Sequence, residues 1–311
     1  MSGSAPESFP RSIRIREVGP RDGFQNESEI IETAHKIELI NLLTSTGLKR
    51  IEITSFVRPD IIPQLSDAHD VLAGIERPDG VSFSVLIPND RGLEMALEQG
   101  DRFDETNFFL SASETHNMKN VNRTIEDSLT HLENTIPRAR DAGKRCEGVI
   151  STSFGCPYEG DVSREKVFAI AERLVNAGCD EIGFGDTTGM ANPVQVRRFF
   201  EEAMARFERV ELTAHFHDTR GQGLANVLSA LQEGVESFES SFGELGGCVV
   251  PVGATGNIAS EDLISMVGEM GIETGVDLPK LLAASARAQE ILGRPLGSHV
   301  LKAGPIDWRQ E

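Results

Sequence analysis

The sequence is poor in cysteine. Cys146, Cys156, Cys179 and Cys248 are the four in 311 residues, and none stands in a CxxC spacing. That excludes a dense disulfide framework and fits a reducing, cytoplasmic setting, with most cysteines buried as small apolar residues. Long apolar runs are also missing. No stretch approaches the ~18 uninterrupted apolar residues of a spanning helix, so no membrane partner is expected. Cations are scarce: 30 Lys and Arg stand against 49 Asp and Glu, for a net charge of −19. Such a surface repels phosphate backbones, which argues against nucleic acid. An anionic substrate then needs a local basic pocket set against that field. No low-complexity tract or long linker interrupts the chain. Residues 1–12 are polar, with Pro6 and Pro10 and no apolar core, and read as a loose tail rather than a signal peptide. What remains is ordinary globular usage, 39% hydrophobic and 25% charged, with enough apolar residues for a large core.

Strand-like and helix-like segments alternate. Strands are expected at 13–18, 50–54, 81–87, 106–110, 146–150, 181–184, 210–216 and 235–238. Helical spacing links Val167, Ile170, Ala171, Leu174 and Val175 before Gly178, and Leu224, Val227, Leu228 and Leu231 before Gly234. Ala68, Val71, Leu72 and Ile75 form a shorter stripe. Eight such units in this length point to a (β/α)8 TIM barrel rather than an open sheet. Two further helices, near 260–271 and 278–292, form a small C-terminal extension, so the barrel domain spans 13–292 and 293–311 reads as a tail.

Barrel sites lie at the C-terminal ends of the strands. There the sequence places Arg21, Asp22, Glu52, Ser151, Asp186, Thr187, His215, His217 and Asp218. In His215-Phe216-His217 the two imidazoles share one face of a strand and can hold a divalent cation. Asp22, from the end of the first strand, can converge on them. Two histidines with a carboxylate and an amide oxygen suit Mg2+, Mn2+ or another borderline metal rather than a closed structural zinc site. Arg21 is a fixed positive donor suited to a carboxylate or a developing oxyanion. Glu52 is a carboxylate on an apolar strand that needs a partner, and Arg21 is the natural one. Residues 246–257 form a glycine-rich loop, and Cys248 within it reads as catalytic or redox-active rather than structural.

These motifs together resemble the 3-hydroxy-3-methylglutaryl-CoA lyase family. The resemblance rests on Val18-Gly19-Pro20-Arg21-Asp22-Gly23, Glu52-Ile53-Thr54-Ser55-Phe56-Val57, Gly155-Cys156-Pro157-Tyr158-Glu159-Gly160 and Gly185-Asp186-Thr187. It continues through His215-Phe216-His217-Asp218-Thr219, Gly246-Gly247-Cys248 and Gly256-Asn257-Ile258-Ala259-Ser260-Glu261-Asp262. It implies a metal-dependent barrel, with Asp22, His215, His217 and Asn257 as ligands to Mg2+ or Mn2+. It also implies catalytic or supporting roles for Arg21, Glu52, Cys248 and Glu261. The implied reaction is retro-Claisen cleavage of a 3-hydroxyacyl-CoA to acetyl-CoA and a keto acid, by a homodimer. Arg220 stands where the family usually has an aromatic, and Val249-Val250-Pro251 replaces a usual Pro-Tyr-Ala. Arg220, Ser151 and Thr187, with Arg21, are therefore expected to contact substrate, and Arg220 to bear on the acyl group. Alternatives are a lyase for citramalyl-CoA or a longer branched glutaryl-CoA, a condensing enzyme of the isopropylmalate-synthase type, and a barrel that binds CoA without catalysis.

Overall fold

The computed structural model describes residues 9–247 and 256–306. Eight parallel strands close into a barrel in chain order. They are β1 (Arg14–Glu17), β2 (Arg50–Ser55), β3 (Ser82–Leu86), β4 (Glu105–Ser111), β5 (Arg145–Ser151), β6 (Glu181–Asp186), β7 (Glu211–Phe216) and β8 (Ser237–Ser240). Strand β8 closes on β1 with Arg16 opposite Glu239. The helices outside are α1 (Thr33–Thr44), α2 (Ala68–Gly74), α3 (Asp90–Leu97), α4 (Glu114–Val121), α5 (Ile125–Asp141), α6 (Arg164–Ala177), α7 (Pro193–Arg206) and α8 (Gly223–Gln232). After them come α9 (Ser260–Glu269), α10 (Leu278–Leu292) and α11 (His299–Ala303). Among the described residues no helix is long and apolar enough to cross a membrane.

Side chains alternate across a strand, and here the alternation sorts them by polarity. Ile15, Ile51, Ile53, Phe83, Val85, Phe108, Leu110, Ile182, Phe184, Phe216 and Phe238 are buried within the one hydrophobic core shared by sheet and helices. The intervening residues include Arg16, Arg50, Glu52, Glu105, Asn107, Glu147, Glu181, Thr213 and Glu239, all buried and bonded to one another inside the barrel. Barrel interiors are usually filled by branched apolar residues. This one is filled largely by ion pairs, and its hydrophobic core is the ring between strands and helices.

Strand ends differ from the expectation by up to two residues, and two departures have a visible cause. The eighth strand lies two residues later than 235–238. Val235 and Gly234 donate back to Ala230 and Leu231 and close α8, so Val235 ends a helix rather than starting a strand. Beyond 292, where a tail is expected, lies the helix α11 at His299–Ala303. The Asp262 carboxylate accepts from the Ser298 hydroxyl and the Val300 amide, each at 2.8 Å, and so caps α11 onto α9.

Candidate active site

A cavity of about 340 Å³ opens at the C-terminal end of the barrel. Asp22 and Arg21 reach it from a tight π-helical turn at Gly19–Gly23, where the Asp22 amide donates to the Val18 carbonyl at 2.7 Å. The turn lies too close to its neighbours to carry side chains at its ends. A Cβ on Gly19 would sit 2.4 Å from the Phe242 ring, and one on Gly23 2.7 Å from Leu245 Cβ. His215 is the last but one residue of β7, and His217 is the first residue beyond the strand. Asn257 arrives from the far side of the glycine-rich loop. The segment carrying it pairs with both strand ends, His217 with Asn257 and Ser241 with Ala259, so the chain returns across the mouth between β7 and β8.

The ligand-capable atoms of Asp22, His215 and His217 all lie within 4.8 Å of one another. His217 Nε2 faces His215 Nε2 at 3.0 Å. His215 Nδ1 is 2.8 Å from Glu239 Oε2, the outer-carboxylate arrangement that orients a metal-binding imidazole with its Nε2 toward the site. The Asn257 amide nitrogen donates to Asp22 Oδ2 at 2.7 Å and to the Leu245 carbonyl at 3.1 Å. Its Oδ1 is buried with no partner among the described residues. Two imidazole nitrogens pointing at each other, a carboxylate and an orphaned amide oxygen form a donor set that fits a divalent cation with mixed N and O ligands.

Arg21 is held from two sides. Its Nε donates to Glu52 Oε2 at 2.7 Å and its Nη1 to Asp22 Oδ1 at 2.8 Å. Gln25 donates to the same Asp22 oxygen at 2.8 Å. Burial pushes the Asp22 carboxyl up, but Arg21 and then the two histidines outweigh it and hold the group below its ordinary range. Burial carries Glu52 up to about 7 despite Arg21. Burial and the neighbouring His215 hold His217 down at about 3, so it stays neutral. Burial also lowers His215, but Glu239 more than offsets it and leaves His215 raised.

Ser151 and Thr187 line the cavity as expected, and Thr187 Oγ1 also accepts from the Thr152 amide at 3.2 Å. Arg220 does not line it. Its Nη1 donates to the carbonyls of Thr188 and Gly189 at 3.0 and 2.7 Å, so this arginine braces the loop after β6. Glu261 lies behind the mouth: it accepts from the Gly243 amide at 2.9 Å and from Ser285, and burial carries it up to about 7. It holds the stem of the glycine-rich loop. Cys248 lies outside the described residues.

The sequence reading missed Glu239 and Asn107, which both line the cavity. Asn107 donates to Glu52 Oε1 at 3.1 Å, and its own Oδ1 has no partner among the described residues. The available signal was period-two polarity on strands also rich in apolar residues, as in Glu105-Thr106-Asn107-Phe108 and Ser237-Phe238-Glu239. Val57, Ile62, Leu86, Phe109 and Val149 supply an apolar side to the same cavity.

The family described as HMGL-like matches residues 12–287. A hydroxymethylglutaryl-CoA lyase of Bacillus subtilis is 48% identical over 94% of this chain and 98% of its own length. A 3-hydroxy-3-isohexenylglutaryl-CoA/hydroxymethylglutaryl-CoA lyase of Pseudomonas aeruginosa is 43% identical over 95% of this chain and 98% of its own. Among solved structures, an HMG-CoA lyase of Acinetobacter baumannii in complex with coenzyme A and 3-methylmalate superimposes with a TM-score of 0.92. It is 40% identical and covers 98% of this chain and 99% of that one.

Proposed function

The chain belongs to the HMGL-like family, and from that premise we propose that it cleaves 3-hydroxy-3-methylglutaryl-CoA to acetyl-CoA and acetoacetate. The observation that carries the proposal is the convergence of Asp22, His215 and His217 beside the orphaned Asn257 oxygen, with Arg21 fixed next to them. These four residues would hold Mg2+ or Mn2+. A bound divalent cation supplies a Lewis acid for the substrate's hydroxyl and carboxylate oxygens.

In the cleavage the C2–C3 bond breaks, C3 becomes a carbonyl, and the hydroxyl proton has to end on C2 of acetyl-CoA. Arg21 is placed to stabilise the thioester enolate oxygen, because Glu52 and Asp22 fix its guanidinium before substrate arrives. Ser151 and Thr187 offer hydroxyls on the opposite wall. Cys248 is the proposed proton carrier to C2, on a loop whose stem Glu261 anchors. The apolar side of the cavity receives the substituent on C3.

We further propose a cytoplasmic homodimer, on the composition and the family resemblance, with light scattering of the purified protein as its check. The functional test is acetyl-CoA release from 3-hydroxy-3-methylglutaryl-CoA, citramalyl-CoA and a longer branched 3-hydroxyglutaryl-CoA, before and after chelation and Mn2+ return. Turnover of the first, lost on chelation and restored by Mn2+, is expected. Preference for another substrate moves the acyl assignment, and turnover that survives chelation removes the metal. Cys248→Ala is expected to retain Mn2+ and lose most turnover. Near wild-type rates in that variant would leave the thiol without a role.

A further inference from the structure

Arg16 is fully buried beneath the cation site, and its guanidinium is shared among four strands. Nη2 donates to Glu105 Oε2 on β4 at 3.2 Å and to Glu181 Oε2 on β6 at 3.0 Å. Nη1 donates to Glu147 on β5 and to Glu239 Oε1 on β8, the latter at 2.9 Å. Arg50 sits in the same cluster and binds Glu105, Glu181 and Glu211. The two arginines therefore share Glu105 and Glu181, yet only Arg16 reaches Glu239. Among the described residues, Arg16 is the one cationic side chain other than His215 bonded to Glu239. The other oxygen of that carboxylate takes His215 Nδ1 at 2.8 Å. A continuous line of hydrogen bonds thus runs from the guanidinium through one carboxylate to a candidate metal ligand.

We infer that Arg16 is a positioning residue for the cation site: it clamps Glu239, and Glu239 aims His215. The fork geometry matters here. A guanidinium that grips Glu147 and Glu239 with one nitrogen, and Glu105 and Glu181 with the other, fixes the plane of the Glu239 carboxylate against rotation. Without it, Glu239 Oε1 has no partner, the carboxylate can turn, and the His215 ring loses its fixed acceptor. Outer-shell partners of metal-binding histidines typically carry a factor of ~10–100 in metal affinity. Simple charge arithmetic has the opposite sign, because deleting a buried positive charge below a cation site should tighten cation binding. The sign of the effect therefore separates positioning from electrostatics.

The inference rests on reading Asp22, His215 and His217 as a cation site, and the test separates the two. Chelator-stripped protein is titrated with Mn2+, and the free ion is followed by electron paramagnetic resonance, with a thermal melt on each sample. Wild type that takes up no Mn2+ removes the cation site and this inference with it. If wild type binds, Arg16→Met is expected to weaken Mn2+ binding about tenfold. Arg50→Met should lose comparable thermal stability while keeping wild-type affinity. Glu239→Gln should resemble Arg16→Met, and the double variant Arg16→Met/Glu239→Gln should bind no more weakly than Glu239→Gln alone. If Arg16→Met does not fold, Arg16→Lys keeps a buried charge but loses the fork, and should weaken binding in the same direction by less. Unchanged or tighter Mn2+ binding in the folded Arg16 variant overturns the inference. So do equal shifts in the Arg16 and Arg50 variants, or additive losses in the double variant.

Discussion

The interior of the barrel holds two clusters of ionisable groups, one above the other, built on opposite rules. On the floor, Arg16, Arg50 and Arg145 are interleaved with Glu105, Glu147, Glu181, Glu211 and Glu239. Each of these carboxylates touches a guanidinium. At the mouth, Asn257 Oδ1, Asn107 Oδ1 and His217 Nδ1 are buried without partners among the described residues, and two imidazole nitrogens face each other. The floor has orphans too, Arg16 Nε and Glu147 Oε1, but neither residue lines the cavity. Burying charge is costly in either place. On the floor the cost is offset by pairing, and the result is a rigid plug. At the mouth it is left open toward a cavity, which is what a site for an incoming ligand needs. Glu239 belongs to both clusters, one oxygen in each.

Two substitutions should split the clusters cleanly. His217→Ala removes a mouth group whose Nδ1 has no partner among the described residues. Lyase activity should fall roughly a thousandfold, the rate equivalent of several kcal/mol of lost charge stabilisation, while the melting temperature barely moves. Arg50→Met on the floor should do the reverse. It takes one of two shared guanidinium partners from Glu105 and Glu181, leaves the cluster one buried positive charge short, and should cost about 3 kcal/mol in urea unfolding, the low end for breaking a buried pair. Turnover at a temperature where the variant is folded should stay near wild type. A large activity loss in the Arg50 variant, or a large stability loss in the His217 variant, would erase the distinction between plug and site.

Glu17 follows a third rule, because it is buried on the outer side of β1 with no cation bonded to it among the described residues. Its oxygens accept from the amides of Gly19 and Phe242 at 2.8 and 2.9 Å and from Ser260 Oγ at 2.6 Å. Burial lifts it to about 8, from 4.5 in an unfolded chain. The native state therefore keeps a proton that the unfolded chain gives up. The stabilisation is complete below about pH 4.5 and is lost as the pH rises through about 8. Glu17→Gln mimics the protonated form, so its melting temperature should match wild type near pH 5 and exceed it by several degrees near pH 9. Parallel profiles at every pH would mean that Glu17 is ionised in the native protein.

The eight-unit barrel was legible because glycine stops and apolar spacing recur at strand–helix intervals. His215-Phe216-His217 was legible because its spacing alone puts both rings on one face, and Asp22 because it follows closely on the first strand. The floor was not legible. Arg16, Glu105, Glu147 and Glu181 read one by one as polar interruptions of apolar strands, and only closure of the sheet turns their shared parity into a single buried network. Arg220 shows the converse. Its position after the histidine strand placed its backbone at the lip, but the side chain finds two carbonyls in the neighbouring loop. Sequence proximity to a site sets where a side chain starts, and competing hydrogen-bond partners set where it ends.

The smallest effect expected is at Asn107, and it tests whether an orphan acceptor at the mouth marks a substrate contact or a brace. Asn107 is buried, its amide nitrogen holds Glu52, and Glu52 holds Arg21 Nε. Valine fills similar space and makes neither bond. Losing one hydrogen bond to a carboxylate costs about 1.5 kcal/mol, which as a rate is roughly tenfold. If Asn107 acts through Glu52 to aim Arg21, that loss should appear in kcat with KM little changed, because Arg21 works on charge that develops only in the transition state. If the free Oδ1 instead receives a hydrogen bond from bound substrate, KM should rise while kcat holds. An Asn107→Val enzyme with unchanged kcat and KM but a lower melting temperature would move this residue into the plug, and the boundary between the two clusters would then lie above Glu52.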